Sequence, residues 1–204
     1  MRNPYTIVSA LEDAVCEYTG APFAVVVNSC TAALLLSLIW WKKKWDKPCH
    51  AVSIPRHTYI SVPMAVRTAG FKFVHFRDEK WEGMYQLQPF PLYDSARFFS
   101  KDMYVPGTFM CVSFHATKIL ADTQGGAILF DDPEAVAWLK RMRFDGRTEG
   151  VAPKDDVFTE IGHHCYMSPD VAARLLHKLM VLPHFNPALP NDDYPDLSKL
   201  ELFQ

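Results

Sequence analysis

The sequence has few of the residues that mark disulfide-rich, zinc-binding or nucleic-acid-binding proteins. Its 204 residues include only five cysteines, an odd number without a C-x-x-C pair, which excludes a disulfide framework and a structural zinc knuckle. The 21 basic and 23 acidic residues give a formal net charge of -2, so there is no excess of positive charge to bind a nucleic-acid backbone. We therefore expect a reducing, cytoplasmic setting and no nucleic-acid partner.

Long hydrophobic segments are also missing. The most apolar run, Ala32 to Trp41, is too short to span a bilayer, and the three lysines that follow it suit the C-terminal end of a buried helix. The first residues carry Glu12 and Asp13 before any long apolar run, which does not fit a secretory signal. The sequence therefore predicts a soluble protein with no membrane partner.

A substantial hydrophobic core is available, since 49% of the residues are hydrophobic and 13% are aromatic. The length fits one domain, and strand-like runs alternate with helix-like runs, which predicts a three-layer α/β fold with a mainly parallel sheet between helices. The predicted strands lie near residues 23–27, 51–54, 71–76, 91–93, 109–114 and 127–130. The predicted helices lie near residues 9–18, 31–44, 62–68, 132–144 and 168–180.

Local signals place some boundaries of this domain. Ser9 and Glu12 match a capping box, which predicts the start of the first helix. Residues 77–91 show no clear period and receive no element. A domain over residues 1–181 is followed by a Pro-rich tail, residues 182–204, which we expect to be an extended strap or a frayed end.

Three positions could carry chemistry, and each has a purely structural alternative. The turn from Asn28 to Ala32 leads from a strand into a helix, so it either caps the helix or binds a phosphate, although it lacks the P-loop and dinucleotide fingerprints. Asp94 follows a short strand, where it either binds a ligand or caps a turn. Lys118 is either an amine nucleophile or a solvated surface charge. The adjacent residues 163–165, two histidines and a cysteine, cannot easily converge on one ion, so no metal site is predicted.

These segments, in this order, resemble those of the DegT/DnrJ/StrS-type sugar aminotransferases, which are pyridoxal-phosphate (PLP) enzymes of fold type I. Three stretches carry most of the resemblance: VVVNSCTAALLLSL (compare vnSGTaAL), LYDSARFF (compare iEDaAhA) and VSFHATKILADTQGGAILFDD (compare fSFhatKxlttGEGGavxtdd). Further matches are IPRHTYISVPMAVRTAGFKFVHF, RFDGR and EIGHHCYMSPDVAARLLHKL. The resemblance spans about residues 9–180 and implies the large domain of that fold, in compressed form.

The resemblance implies an activity and assigns roles to three residues. Lys118 would form a Schiff base with PLP and carry a proton, Asp94 would pair with the pyridinium nitrogen, and Tyr59 would stack on the ring. The implied reaction transfers an amino group from an amino acid, glutamate in the family, to a nucleotide-linked keto sugar. A homodimer is implied as well.

The same resemblance implies which residues bind the rest of the cofactor. Ser113 and the backbone near Cys30 and Thr31 would hold the phosphate, and Arg97 occupies the position of a residue near the cofactor's hydroxyl. His164 replaces an asparagine that reaches the phosphate of a neighbouring subunit, and Cys30 replaces a glycine.

The chain is also shorter than members of that family, and the resemblance implies a form without their C-terminal small domain. This leaves two alternatives to an active transferase. One is a PLP- or nucleotide-sugar-binding homologue without turnover, and the other is an unrelated α/β domain.

Overall fold

The computed structural model describes residues 3–191 and 194–203, so residues 1 and 2 of the predicted domain and residues 192, 193 and 204 of the predicted tail lie outside it. The five helices of this part are α1 (Thr6–Thr19), α2 (Cys30–Lys44), α3 (Ser61–Thr68), α4 (Pro133–Met142) and α5 (Pro169–Leu179). Its strands are β1 (Phe23–Val27), β2 (Ala51–Pro55), β3 (Phe73–Arg77), β4 (Tyr85–Gln86), β5 (Leu92–Asp94), β6 (Phe109–Ser113) and β7 (Gly126–Phe130). None of the helices in these ranges is long and apolar enough to cross a membrane.

The larger sheet has the strand order β1-β7-β6-β5-β4, and β2 pairs with β3 in a second, parallel sheet. Strands β5 and β6 are parallel, whereas β7 runs antiparallel to both of its neighbours and β4 runs antiparallel to β5. Residues 114–125 join β6 to β7 without a helix, and a parallel pair would need a longer crossover, usually helical. The predicted α/β architecture is confirmed, but the sheet is mixed, whereas a mainly parallel sheet was predicted.

Helices cover both faces of the larger sheet, as the alternation of side chains along β1 illustrates. Val25 and Val27 belong to a hydrophobic cluster with residues of α2, α3 and α4. Ala24 and Val26 belong to a second cluster with residues of α1 and α5. Because successive residues of a strand point to opposite faces, one buried strand supplies both halves of the core.

The first helix differs from its predicted form. It begins at Thr6, three residues before the expected start, and no side chain caps it at Tyr5. The expected capping box at Ser9 is therefore wrong. Glu12 instead reaches across to β1, where its Oε1 accepts the N–H of Val26 at 3.1 Å.

The outer edge of β1 is covered by side chains and by a later segment of the chain. Arg143 donates to the carbonyl of Val26 at 2.6 Å and also to the Glu12 carboxylate. Further along the strand direction, the N–H of Asn28 donates to the carbonyl of Cys165 at 2.8 Å. An edge strand exposes unpaired backbone groups, so these contacts satisfy the polar edge of the sheet inside the fold.

The described part of the predicted tail packs against the domain. The Tyr18 hydroxyl donates to the carbonyl of Pro183 at 2.5 Å and accepts from Asn186 at 2.9 Å. Leu197 is buried, and its N–H donates to the carbonyl of Arg56 at 2.9 Å. The tail therefore returns to the region of β2. The domain boundary at residue 181 stays a prediction.

Candidate functional site

A pocket of about 370 Å³ lies where several strands end. Asp94 is the last residue of β5, Ser113 is the last residue of β6, and Cys30 opens α2 shortly after β1. The carboxyl ends of strands are where open α/β folds bind their ligands. Of the predicted site residues, those that line this pocket are Cys30, Thr31, Tyr59, Asp94, Arg97, Ser113 and Lys118.

The N-terminus of α2 forms one wall of the pocket. Ser29 caps the helix, since its Oγ accepts the N–H of Ala32 at 3.1 Å. Thr31 lies in the first turn, with its Oγ1 2.7 Å from Oγ of Ser61, and both hydroxyls line the pocket. The turn therefore caps the helix and also exposes its positive end and hydroxyl groups to a ligand, an arrangement that suits an anion.

A close backbone contact fixes this turn against the sheet. A Cβ on Gly126 would lie 2.6 Å from the nitrogen of Cys30 and 2.7 Å from the carbonyl carbon of Ser29. No side chain fits in that space, so glycine is required for β7 to approach the start of α2. The neighbouring Gly125 lines the pocket.

Asp94 is a buried carboxylate with two donors. Its Oδ1 accepts the N–H of Ala96 at 3.0 Å, and its Oδ2 accepts the hydroxyl of Tyr85 at 2.7 Å. Burial raises the pKa of the Asp94 carboxyl, and these two hydrogen bonds and the charge of Lys118 oppose the rise. Asp94 thus caps a turn, as one interpretation of the sequence expected, and lines the pocket as well.

Two thiols lie beside this carboxylate. Burial raises the pKa of Cys30 well above its usual range, and the charge of Asp94 adds to the rise. Burial also raises the pKa of the Cys111 thiol. Both groups therefore remain neutral thiols near pH 7 and are poor nucleophiles.

Lys118 shares the pocket with Asp94 and is only partly exposed. Its backbone N–H donates to the carbonyl of His115 at 2.9 Å, in the loop that leaves β6. The Lys118 charge acts to lower the pKa of both Asp94 and Cys30, against the dominant effect of burial. The pocket therefore combines an amine, a buried carboxylate and a helix N-terminus.

The mouth of the pocket is aromatic and is partly formed by the tail. Tyr194 lines the pocket, with its ring centroid 6.4 Å from those of Tyr59 and Trp81. Arg97 is buried beneath it, where the guanidinium donates to the Tyr194 hydroxyl at 3.3 Å and to the carbonyl of Pro190. Arg97 therefore joins the pocket wall to the tail.

Sequence comparison identifies the family of this chain. The sequence model of the DegT/DnrJ/EryC1/StrS aminotransferase family matches residues 1–81 and 101–188. The chain belongs to this family. Residues 82–100, which include Tyr85, Asp94 and Arg97, lie outside the match. No curated protein sequence matches the chain.

Solved structures share the fold of this chain at low sequence identity. Helicobacter pylori PseC, an aminotransferase involved in the biosynthesis of pseudoaminic acid, is 19% identical, with a TM-score of 0.74 over 87% of this chain and 58% of its own. AtS13 from Actinomadura melliaura is 19% identical, with a TM-score of 0.73 over 86% and 60%. A family aminotransferase from Brucella abortus is 21% identical, with a TM-score of 0.69 over 87% and 59%. The chain thus spans between 58% and 60% of the length of these proteins, and their similarity confirms the fold type I architecture.

His164 is the one predicted site residue that does not line the pocket. Its Nδ1 lies 2.9 Å from Oδ2 of Asp145, its side chain is 72% exposed, and its ring packs on Tyr166. The DegT/DnrJ/EryC1/StrS resemblance assigned it to a neighbouring subunit's phosphate, and that role stays a prediction. Across residues 3–191 and 194–203, no three histidine, cysteine or acidic residues are grouped so as to hold a metal ion.

Several pocket residues were not predicted from the sequence. Trp81 and Tyr194 line the mouth, and Thr58 and Ser61 line the wall next to α2. Ser61 lies two residues after Tyr59, in a segment that resembles the DegT/DnrJ/EryC1/StrS family. Its position could therefore have predicted that it belongs to the site. Trp81 lies in the aperiodic segment and Tyr194 lies in the tail, and the sequence of neither segment indicated a site residue.

Proposed function

We propose that this chain binds PLP in the pocket and transfers an amino group from an amino acid, by family analogy glutamate, to a nucleotide-linked keto sugar. One observation carries the proposal: Lys118, Asp94 and the N-terminus of α2 line the same pocket of about 370 Å³. These three features complement an aldehyde, a pyridine nitrogen and a phosphate. Membership of the DegT/DnrJ/EryC1/StrS family supports the same conclusion.

The phosphate would be held at the start of α2. Backbone N–H groups of the first turn are available there, and the helix dipole favours an anion. The hydroxyls of Thr31 and Ser113 line the same wall and can donate to phosphate oxygens. Cys30 would contribute its backbone N–H, since its thiol stays neutral.

The ring would be held between Asp94 and the aromatic mouth. When bound, PLP supplies an electron sink for the carbanion formed at the donor's α-carbon. Asp94, as a carboxylate, would keep a proton on the ring nitrogen, and Tyr59 would pack against the ring face. Lys118 would attach the cofactor through its amine and move a proton at the reacting carbon. Arg97 would contact the cofactor's hydroxyl.

The substrates and the assembly belong to the proposal too. The rings of Tyr59, Trp81 and Tyr194 at the mouth offer surfaces on which a sugar or a base can stack. We propose a homodimer, with His164 directed to the partner's phosphate, and a cytoplasmic location. Sedimentation of the PLP-loaded protein as a monomer at working concentration would contradict the dimer.

Reduction with borohydride tests the cofactor and the lysine together. The protein is mixed with PLP, reduced, digested and mapped by mass spectrometry, and we expect one modified peptide carrying the adduct on Lys118. Lys118→Ala should lose both the adduct and the visible absorbance, whereas Lys101→Ala, which changes an exposed lysine outside the pocket, should retain both. An adduct spread over surface lysines would refute the proposal.

A PLP-binding protein without turnover is the second candidate. One observation favours it: the tail contributes Tyr194 to the mouth of the pocket. Adding excess glutamate to the yellow protein separates the two candidates. Bleaching of the absorbance supports transamination, and a stable yellow colour supports binding alone.

A further inference from the structure

A buried row of two hydroxyl groups, those of Thr58 and Tyr85, leads to Asp94. The Tyr85 hydroxyl donates to Oδ2 of Asp94 at 2.7 Å, and Oγ1 of Thr58 lies 2.5 Å from the same phenolic oxygen. All three residues are buried, Thr58 at 1% exposure, Tyr85 at 4% and Asp94 at 6%. Water therefore cannot readily replace any member of the row.

The backbone fixes this contact. Strands β4 and β5 pair antiparallel, with Tyr85 directly opposite Asp94 in the register. Cross-strand partners of this kind lie close enough for their side chains to interact. Tyr85, like Asp94, belongs to residues 82–100, which lie outside the family match.

The proton positions follow from the number of donors. A phenol has a single O–H, and Tyr85 directs it to the Asp94 carboxylate. Thr58 must then donate its own O–H to the phenolic oxygen. Both hydrogen bonds therefore point towards Asp94, and this direction is favourable when the carboxyl group is ionised.

We propose that Tyr85 is a positioning residue that keeps the Asp94 carboxylate oriented and ionised for the protonated ring nitrogen of the cofactor. Its hydroxyl occupies Oδ2 and the N–H of Ala96 occupies Oδ1, so the carboxylate plane is fixed from two sides. Thr58 supports the row from its outer end. The inference rests on the proposed function only for the identity of the ligand.

The other groups that face Asp94 give the direction of the effect. Besides Tyr85, they are the Cys30 and Cys111 thiols, which stay neutral, and the Lys118 ammonium. Burial raises the pKa of Asp94, and the hydrogen bond from the Tyr85 hydroxyl is the strongest influence that opposes the rise. Removing the hydroxyl should therefore move protonation of Asp94 to higher pH.

The first test uses the cofactor-free protein. The Asp carboxyl carbons are labelled with ¹³C and titrated by NMR, and the Asp94 signal is assigned by its loss in Asp94→Asn. We expect Tyr85→Phe to raise the Asp94 midpoint by about 1–2 pH units, which corresponds to the loss of a hydrogen bond to a charged group. Tyr104→Phe removes a hydroxyl that donates to Thr108 outside the pocket and should leave the midpoint unchanged. Equal midpoints in the two variants would overturn the proposal.

A second variant acts on the outer end of the row. Thr58→Val should raise the Asp94 midpoint less than Tyr85→Phe does, and Thr58→Ser should restore the original value. If Tyr85→Phe does not fold, this pair alone decides the question, because a purely steric role of Thr58 would not be rescued by serine.

The third test measures the affinity for PLP. Tyr85→Phe should bind PLP about tenfold more weakly than the original protein, yet should cause no further loss in the Asp94→Asn background, since its effect acts through the carboxylate. Equal losses in both backgrounds would mean that Tyr85 is only structural. If the original protein binds no PLP, the proposed function fails, while the carboxyl titration still decides whether Tyr85 controls Asp94.

Discussion

Replacing Arg143 with alanine should destabilise the fold more than any surface substitution. Arg143 is 1% exposed and lies at the outer edge of β1. Its guanidinium donates to Glu12, to the carbonyl of Val26 and, at 3.3 Å, to Glu149. Arg143→Ala would leave a buried carboxylate and a buried carbonyl without their donor.

The size of the loss follows from these contacts. Removing one partner of a buried ion pair costs about 3–5 kcal/mol, because the remaining charge is left uncompensated. Lys140 also pairs with Glu12 at 2.9 Å, which keeps the expected loss of unfolding free energy near the lower end of that range. For a domain of about 150–250 residues each kcal/mol lowers Tm by about 2–4 °C, so a loss of about 3 kcal/mol should lower Tm by roughly 6–12 °C.

Urea unfolding monitored by circular dichroism measures this loss, with Lys43→Ala as the matched control. Lys43 pairs with Glu160 at 2.5 Å, but the two side chains are 50% and 37% exposed, so this variant should lose less than about 1 kcal/mol. Replacing Arg143 and Glu12 together with methionine should recover only part of the stability: no buried charge is then left alone, but the N–H and the carbonyl of Val26 lose their partners. The reasoning is refuted if Arg143→Ala costs no more than Lys43→Ala.

Three further predictions concern the site, the response to acid and the tail. Gly126→Ala should lower stability by about 1–3 kcal/mol and also weaken binding of PLP measured by fluorescence titration, whereas Gly107→Ala, whose Cβ meets open space at a positive φ, should lower stability without affecting binding. Arg174 is the main influence that holds the pKa of Asp122 well below its usual range, so this carboxylate stabilises the fold above its unfolded pKa. That contribution should be lost as the pH falls below about 4, and Asp122→Asn should flatten the dependence of unfolding free energy on pH in this range. Tyr18→Phe removes two hydrogen bonds to the tail and should speed limited proteolysis after residue 182, a prediction that fails if the cleavage rate is unchanged.

Local sequence patterns predicted the elements that depend mainly on local burial. The run from Phe23 to Val27 was predicted as a strand with the bounds that the structure gives, because it is apolar throughout and lies between turn residues. Asp94 and Lys118 were expected at strand ends, and the fold brings them to one pocket for that reason. The close approach of Gly126 to α2 could not be predicted from the sequence.

Long-range contacts account for what the sequence did not predict. Glu12 fits a local capping pattern, yet its carboxylate accepts the N–H of Val26 in β1. This backbone donor lies at the buried edge of the strand and needs an acceptor. Tyr85 lies in a two-residue strand, too short to show a period, and only its pairing with β5 aligns it with Asp94. Tyr194 lines the pocket because the tail packs back against the domain, and no local sequence pattern predicts that packing.

The contact between Arg97 and the tail has a thermodynamic consequence. Tyr194 and Pro190 of the tail accept hydrogen bonds from Arg97 in the pocket wall. The free energy of ligand binding in the pocket and the free energy of tail docking are therefore linked. Such linkage is reciprocal: if docking of the tail increases the affinity for a ligand by some factor, the ligand increases the equilibrium constant for docking by the same factor. Ligand binding in the pocket should therefore change the rates of amide hydrogen exchange in the tail, at residues 194–203.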